Sequence, residues 1–332
     1  MDLLDLSVVM PVFNAVDTVV RAVESVLDNE IDQLEIIVID DGSTDGSREV
    51  VAAMADPCIE ILSSRHQGLV SALNLGVERA KSSFIARMDA DDVSRPGRLQ
   101  HQLRMLRAGE ADVVGSAVRI VDRLGGPVPS MARYEQWINE HTSHEQIAAM
   151  RYVESPLVHP TVMARREVFA LQYRDGPWPE DYDLWLRAIS DGYRFIKSSC
   201  VLLDWTERDG RLTRTSDRYS PPAFDRCRRM HLLAGPLKDV HQVDLWGAGR
   251  TGKPWLRWLN KQSLSVRRVY EIDPKKVGQT IHTAPVVHPD EMPTADGTLM
   301  LMAVGAEGAR EQIEPHLRGR GYVLGLDAWF VA

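Results

Sequence analysis

The chain has 332 residues, 44% of them hydrophobic and 26% charged, and a formal net charge of −8. This is an ordinary globular composition, long enough for one large or two modest domains. The acidic balance argues against a wholly basic nucleic-acid surface and leaves room only for a local basic groove. Cys58, Cys200 and Cys227 are far apart and make no metal-binding spacing. A reducing compartment is expected rather than a disulfide framework. The first five residues carry no basic flank or long apolar core, so no signal peptide is expected. No uncharged apolar stretch approaches roughly 20 residues, and no membrane span is expected. The predicted location is cytoplasmic, with peripheral contact at the inner face of a membrane left open.

In chain order, residues 6–10 form an apolar strand stopped by Pro11. Residues 18–27 carry Val19, Val20, Val23, Val26 and Leu27 at helical spacing. Residues 36–39 are a second apolar strand, followed by Asp40-Asp41-Gly42-Ser43. A helical pattern resumes over 47–54, and 59–62 is a third strand. Leu69, Leu73 and Val77 mark the next helix. Residues 84–88 are a fourth strand, which runs into Asp89-Ala90-Asp91-Asp92. Strands alternating with helices predict an α/β fold, a mostly parallel central sheet flanked by helices. Such sheets bind ligands at the C-terminal ends of their strands. Asp40, Asp41, Asp89, Asp91 and Asp92 are therefore expected on one rim.

Residues 112–121 read as a further strand and 133–150 as a mostly helical insertion. Residues 154–169 are irregular and then strand-like, and 181–189 are helical. Residues 201–203 read as an edge strand, and 208–222 as a polar loop without apolar periodicity. A second, smaller α/β unit is expected from residue 240, with strands at 243–246, 266–272 and 299–304. Its helices are expected at 255–259 and 309–317. The domains are then residues 1–225, a linker helix or loop at 226–239, and a C-terminal unit at 240–332.

Three carboxylates within four positions at the end of a buried strand require a positive partner. A divalent metal holding a diphosphate would supply it. Asp89 and Asp91, one residue apart, can address one ion and an adjoining sugar hydroxyl. Magnesium and manganese take such oxygen ligands and neutralise a departing diphosphate. A solvated acidic turn is the plain alternative. Asp41 can accept a hydrogen bond from a base imide, while Asp40 supports the turn or a ribose. An ordinary turn, with Ser43 or Asp45 capping the next helix, is the alternative there. Glu180-Asp181 opens a helix, whose dipole keeps a carboxylate ionised as a general base requires. Capping alone would also explain that pair. His159, beside Pro160, fits an acceptor contact, a phosphate contact or a structural role. Arg208, Arg211 and Arg214, with Arg218, make a positive strip. It is either a solvated loop or a flap that closes on the diphosphate. Arg65 and His66 follow the third strand, on the nucleotide side.

Gly247-x-Gly249-x-x-Gly252 follows a strand and precedes a helix, with Glu271 one βαβ step later. This is the context of a dinucleotide fingerprint. The unit is only about half of a doubly wound domain, and no redox acid–base pair lies nearby. A structural or partner-binding Rossmann-like unit is expected, and NAD is not expected as a cofactor. A degenerate cofactor site and an acceptor-recognition site are the alternatives.

Four blocks in order resemble the family 2 glycosyltransferases. They are Met10-Pro11-Val12-Phe13-Asn14, Asp40-Asp41-Gly42-Ser43, Asp89-Ala90-Asp91-Asp92 and Glu180-Asp181-Tyr182, spread over roughly residues 6–220. The resemblance implies a glycosyltransferase A fold and inverting transfer from a nucleotide sugar to a hydroxyl, without a covalent intermediate. UDP is the donor nucleotide it favours, with dTDP and GDP open. It implies Mn2+ or Mg2+ as cofactor and a saccharide or glycolipid as acceptor. It puts Pro11, Phe13 and Asn14 beside the nucleotide, Asp41 on the base, Asp89 on the nucleotide or sugar, and Asp91 on the metal. Asp181 looks like the catalytic base, with Glu180 orienting it or binding the acceptor. Asp92 would support the turn or start the next helix. A narrower similarity, over 133–139, 159–161, 245–249 and 270–273, is to the animal enzymes that galactosylate queuosine in tRNA. It makes tRNA the second acceptor class. The competing functions are an NAD-binding oxidoreductase built on the C-terminal unit and a non-catalytic nucleotide-sugar scaffold.

Overall fold

The computed structural model describes residues 4–332. The chain divides into two compact units, Met1–Ile147 with Ser155–Cys227, and Ala148–Glu154 with Arg228–Ala332.

The first unit opens with β1 (Leu6–Val12), α1 (Val19–Leu27), β2 (Leu34–Asp40), α2 (Ser47–Ala52), β3 (Ile59–Ser63) and α3 (Leu69–Arg79). Then come β4 (Phe84–Arg87), β5 (Val93–Ser94), α4 (Arg98–Arg107), β6 (Val113–Val121), α5 (Ala132–Glu140) and α6 (His144–Met150). After β7 (Met163–Arg165) and α7 (Arg166–Phe169) follow α8 (Glu180–Ser190), β8 (Phe195–Thr206) and α9 (Leu212–Thr215). Finally α10 (Pro221–Ala234) carries the chain into the second unit. One eight-stranded sheet runs β3-β2-β1-β4-β7-β6-β8-β5. β1, β2, β3 and β4 are mutually parallel, as are β6 and β8. β7 runs antiparallel to both of its neighbours, and β5 antiparallel to β8.

Both faces of this sheet are covered, so β1 and β2 are almost wholly apolar rather than alternating. Successive side chains still point to opposite faces. Val8, Met10, Ile36 and Val38 join one core with Ala22, Val23 and Val26 of α1. Val9, Ile37 and Ile39 join the other with Ala72 and Leu73 of α3 and Leu184 and Trp185 of α8.

Three expectations need correction. Pro11 does not stop β1, which continues in register to Val12 opposite Asp40. A proline is tolerated there because it sits near the end of the strand. The strand expected at 201–203 runs from Phe195 to Thr206 and lies inside the sheet, between β6 and β5. A bulge hides it. Ser198 pairs with Ser116 and Val201 with Ala117, so Ser199 and Cys200 are extra residues that break the apolar pattern. Within 208–222 the chain is not an irregular loop; it forms α9 and a 3-10 turn over Asp217–Tyr219.

The second unit holds β9 (Gln242–Trp246), α11 (Gly252–Lys261), β10 (Ser265–Tyr270), β11 (Thr280–Ile281), β12 (Ala284–Val287), β13 (Leu299–Met302), α12 (Ala309–Gly319) and β14 (Ala328–Phe330). Its sheet order is β11-β12-β10-β9-β13-β14, and every ladder but β11–β12 is parallel. Two glycines of the Gly-rich turn are required by backbone packing alone. Gly247 has φ +115°, and a Cβ there would lie 2.7 Å from the Ala303 carbonyl oxygen. A Cβ on Gly252 would lie 1.7 Å from the Gly247 carbonyl oxygen. Gly249 faces open space. Glu271 accepts from the Ala248 amide at 3.1 Å and from Lys276 Nζ at 3.0 Å. Among the described residues no helix is long and apolar enough to cross a membrane.

Gly76 shows how tightly α3 lies on the sheet. A Cβ there would come within 2.5 Å of Val9 Cγ1 and 2.7 Å of Ile39 Cδ1, both fixed in the core. Gly76→Ala gains helix propensity but overpacks this contact, so it should destabilise the protein by about 1–2 kcal/mol in a urea titration.

Candidate functional site

β1, β2 and β4 are parallel and end on one edge, where open α/β sheets gather their ligands. Residues 12–14, 40–42 and 88–92 therefore share a rim. Loops there are tied to one another by side chains. Asn14, at φ +49°, accepts from the Thr44 amide at 2.9 Å and donates its own amide to Ser43 Oγ at 3.0 Å. Asp40 is buried and accepts from the Ser43 amide at 3.1 Å, which supports the turn.

Asp41 is also buried, and it organises the β3–α3 loop. Its Oδ1 accepts from the Ser64 hydroxyl and from the Gln67 amide at 2.8 Å. Its Oδ2 accepts from the Gly68 amide at 2.8 Å, and His66 Nδ1 lies 3.4 Å away. The His66 ring stacks on Phe13 with centroids 4.3 Å apart, and Phe13 is 47% exposed. An aromatic platform thus stands at the end of β1, beside a carboxylate. Pro11 lies within β1, and Arg65 is exposed on the adjoining loop.

Carboxylate oxygens of Asp89, Asp91 and Asp92 all lie within 4.8 Å of one another. Three such charges repel, and the fold answers with arginines. Arg87 pairs with Asp89 from below. Arg208 Nε meets Asp91 Oδ2 at 2.8 Å from above. Asp92 is buried; its Oδ1 accepts from the Thr206 amide at 2.8 Å, while its Oδ2 has no hydrogen-bond partner. Burial, then Asp91 and Asp89, push the Asp92 carboxyl well above the usual carboxylate range. Asp92 thus anchors the end of β8 and does not start a helix. An all-oxygen cluster with one orphaned buried oxygen fits a hard divalent cation. These three residues could hold such a metal ion.

Arg87 and Arg98 went unread in the sequence. Arg87 lies at the end of β4, 3% exposed. Arg98 is completely buried and reaches the Arg87 carbonyl at 2.8 Å and Gln102 Oε1 at 3.1 Å. Burial lowers the Arg98 guanidinium to about 9. Burial also pulls on Arg87, but Asp89, Tyr173 and Glu180 outweigh it and raise its pKa. An arginine closing an otherwise apolar strand was the available signal.

Glu180 and Asp181 begin α8, as expected, on Pro179 as N-cap. Glu180 is 1% exposed and accepts from the Tyr219 hydroxyl at 2.7 Å. Burial raises its pKa. Asp181 is half-buried and accepts from the Tyr182 amide at 2.7 Å. His159 is buried, with Nε2 2.9 Å from the Tyr173 hydroxyl and its ring edge-on to Trp185. Burial, and then Arg87, hold its pKa well below the usual histidine value.

The arginine strip is a strap of paired charges. Arg208 lies on Asp91, and Arg211 and Arg214 both lie on Glu207. Arg211 is buried and stacks over Trp205, 4.4 Å from the ring centre. Arg218 reaches Asp175, and its Nη1 is 3.9 Å from Glu180. A pocket of about 230 Å³ opens beside Asp91, with Arg21, Arg123 and Arg208 among its walls.

Residues 7–171 match the family described as Glycosyl transferase family 2. The chain is a glycosyltransferase. The matched stretch ends before Glu180 and Asp181. O-antigen biosynthesis glycosyltransferase WbnJ of Escherichia coli is 29% identical over 231 residues, 67% of this chain and 85% of WbnJ. Succinoglycan biosynthesis protein ExoO of Rhizobium meliloti is 35% identical over 118 residues, 35% of this chain and 34% of ExoO. Among solved structures, S. aureus TarS 1-349 in complex with UDP-GlcNAc superposes with a TM-score of 0.55 at 19% identity. That match covers 69% of this glycosyltransferase and 66% of the TarS chain. Mannosyltransferase PcManGT from Pyrobaculum calidifontis, in complex with GDP-Man and Mn2+, gives 0.50 at 16% identity, over 78% of this chain and 69% of its own. At these identities the structural likeness concerns the fold alone.

The hub role of Asp41 is measurable. Asp41→Ala removes three donors' acceptor at once and should destabilise the glycosyltransferase by about 2 kcal/mol. The amides of Gln67 and Gly68 should lose their protection in hydrogen exchange, while those of α8 keep theirs.

Proposed function

We infer that the enzyme uses a glycosyltransferase A fold to move a sugar, with inversion, from a nucleoside diphosphate sugar to a hydroxyl of a saccharide or glycolipid. The observation that carries this reading is the carboxylate trio at the end of β4, with an acidic helix start at Glu180 joined to it through Arg87 and the strap. Phe13 and Asp41 would take the base, and Asp89 the ribose or sugar. UDP is the favoured nucleotide, in line with the donor held by TarS, although PcManGT holds GDP-Man.

Asp89, Asp91 and Asp92 would hold Mn2+ or Mg2+, which supplies positive charge for the departing diphosphate. Arg208 is poised to add to that charge by leaving Asp91 for a phosphate oxygen. Asp181 takes the proton of the acceptor hydroxyl. The oxygen then attacks the anomeric carbon as the bond to the diphosphate breaks, and the electron pair leaves with the nucleotide. A single displacement inverts the anomeric centre. Glu180, tied to Tyr219, fixes the start of α8 and keeps Asp181 aimed at the acceptor.

The test begins with a panel of UDP-, GDP- and dTDP-sugars. A cognate donor should raise the thermal midpoint with Mn2+ and fail to do so in chelator. Asp181→Asn should then lower turnover by about 10²–10⁴-fold with unchanged circular dichroism. Full turnover in that variant removes Asp181 from the role of base. Donor binding indifferent to chelation removes the metal.

A further inference from the structure

The proposed transfer gives Arg87 no contact with donor or acceptor. It is 3% exposed, at the end of a strand whose neighbouring side chains are core hydrophobes. Ile85, two residues back on the same face, packs with Leu184 and Trp185. An apolar residue at position 87 would serve that core without the desolvation of a guanidinium, which is expensive in any protein interior. The groups that face Arg87 are nearly all polar. Asp89 and the Met88 carbonyl accept from its two terminal nitrogens, and its Nε has no partner. Tyr173, Glu180 and His159 complete its electrostatic surroundings. The backbone beneath is held as well, because Arg98 bonds the Arg87 carbonyl and Gln102 in turn bonds the Val114 and Thr161 carbonyls.

We propose that Arg87 is a positioning residue. Its buried guanidinium fixes the carboxylate of Asp89 in the orientation that receives the donor. It touches no substrate and acts through Asp89. This rests on reading Asp89 as a donor contact. Asp89 follows Arg87 by two residues, just beyond the end of β4, and the guanidinium reaches its carboxylate directly. One terminal nitrogen of the guanidinium holds Asp89 Oδ1 while the other holds the Met88 carbonyl, a two-point grip that a single ammonium does not reproduce.

The experiment is a double-mutant cycle on the full chain, R87M, D89N and both together, read as kcat/KM for the nucleotide-sugar donor by nucleoside diphosphate release. Each single change should lower kcat/KM by about 30-fold, chiefly through donor KM, and the double should fall within about threefold of D89N alone. R87K controls for folding: it keeps the buried charge, so its thermal midpoint should stay near that of the parent while donor KM still rises. Losses that multiply in the double variant overturn the positioning role and leave the function intact. R87K and R87M with parental donor KM overturn it as well. A harmless D89N overturns both the donor reading of Asp89 and the role of Arg87.

Discussion

Mutual repulsion among Asp89, Asp91 and Asp92 is the constraint around which the first unit is arranged. Their oxygens crowd within 4.8 Å. Like charges at such range are tolerable only with cations or hydrogen-bond donors in place. Each aspartate receives a different one. Asp89 has an arginine from the strand below, Asp91 an arginine from the strap, and Asp92 a backbone amide at the end of β8. The pairing of β5 with β8 serves this need, since it brings Asp92 to the Thr206 amide. A ligand that binds there enters an arrangement already balanced by protein charge, and it has to exchange with part of that balance.

Much of this rim was legible in the sequence because parallel strands buried on both faces are continuous apolar runs. Residues 36–39 and 84–88 announce both their strands and the acids that follow. The partners of those acids were not legible, because they lie far off in the chain. Asp41 meets Gln67 and Gly68, 26 and 27 residues later, and Asp91 meets Arg208, 117 residues later. Local periodicity carries no information at such separations. Arg87 was hidden by a different rule: a charged residue ending a strand reads as the point where the chain meets water. Here it marks a charge held inside. β8 looks shorter than it is in the sequence because Ser199 and Cys200 bulge out of register. The arginine strip was visible as charge, yet its pairing with Glu207, Asp91, Asp175 and Glu180 could be seen only in three dimensions.

The Gly-rich turn of the second unit teaches a related lesson. Its spacing is that of a nucleotide fingerprint, and the five parallel-paired strands around it suit one. Yet Gly247 and Gly252 are both required by carbonyl oxygens that would collide with any side chain. Glu271, in the position of a ribose-binding acid, is held by Ala248 and Lys276. A motif can be kept by the packing of a turn as well as by a ligand, and spacing alone does not separate the two.

The strap between Arg208 and Tyr219 is fastened at both ends to acids, Asp91 at one and Glu180 at the other. A short segment pinned twice behaves as a closed ring. Most of the entropy lost in closing it is lost once, so the two fastenings are not independent. Between the two ends Arg211 stacks over Trp205 and Arg218 reaches Asp175, so a released end leaves part of the segment held. Asp91 and Glu180 are in this sense linked through one segment. What happens at one is felt at the other through slack in the chain, with no rigid lever between them.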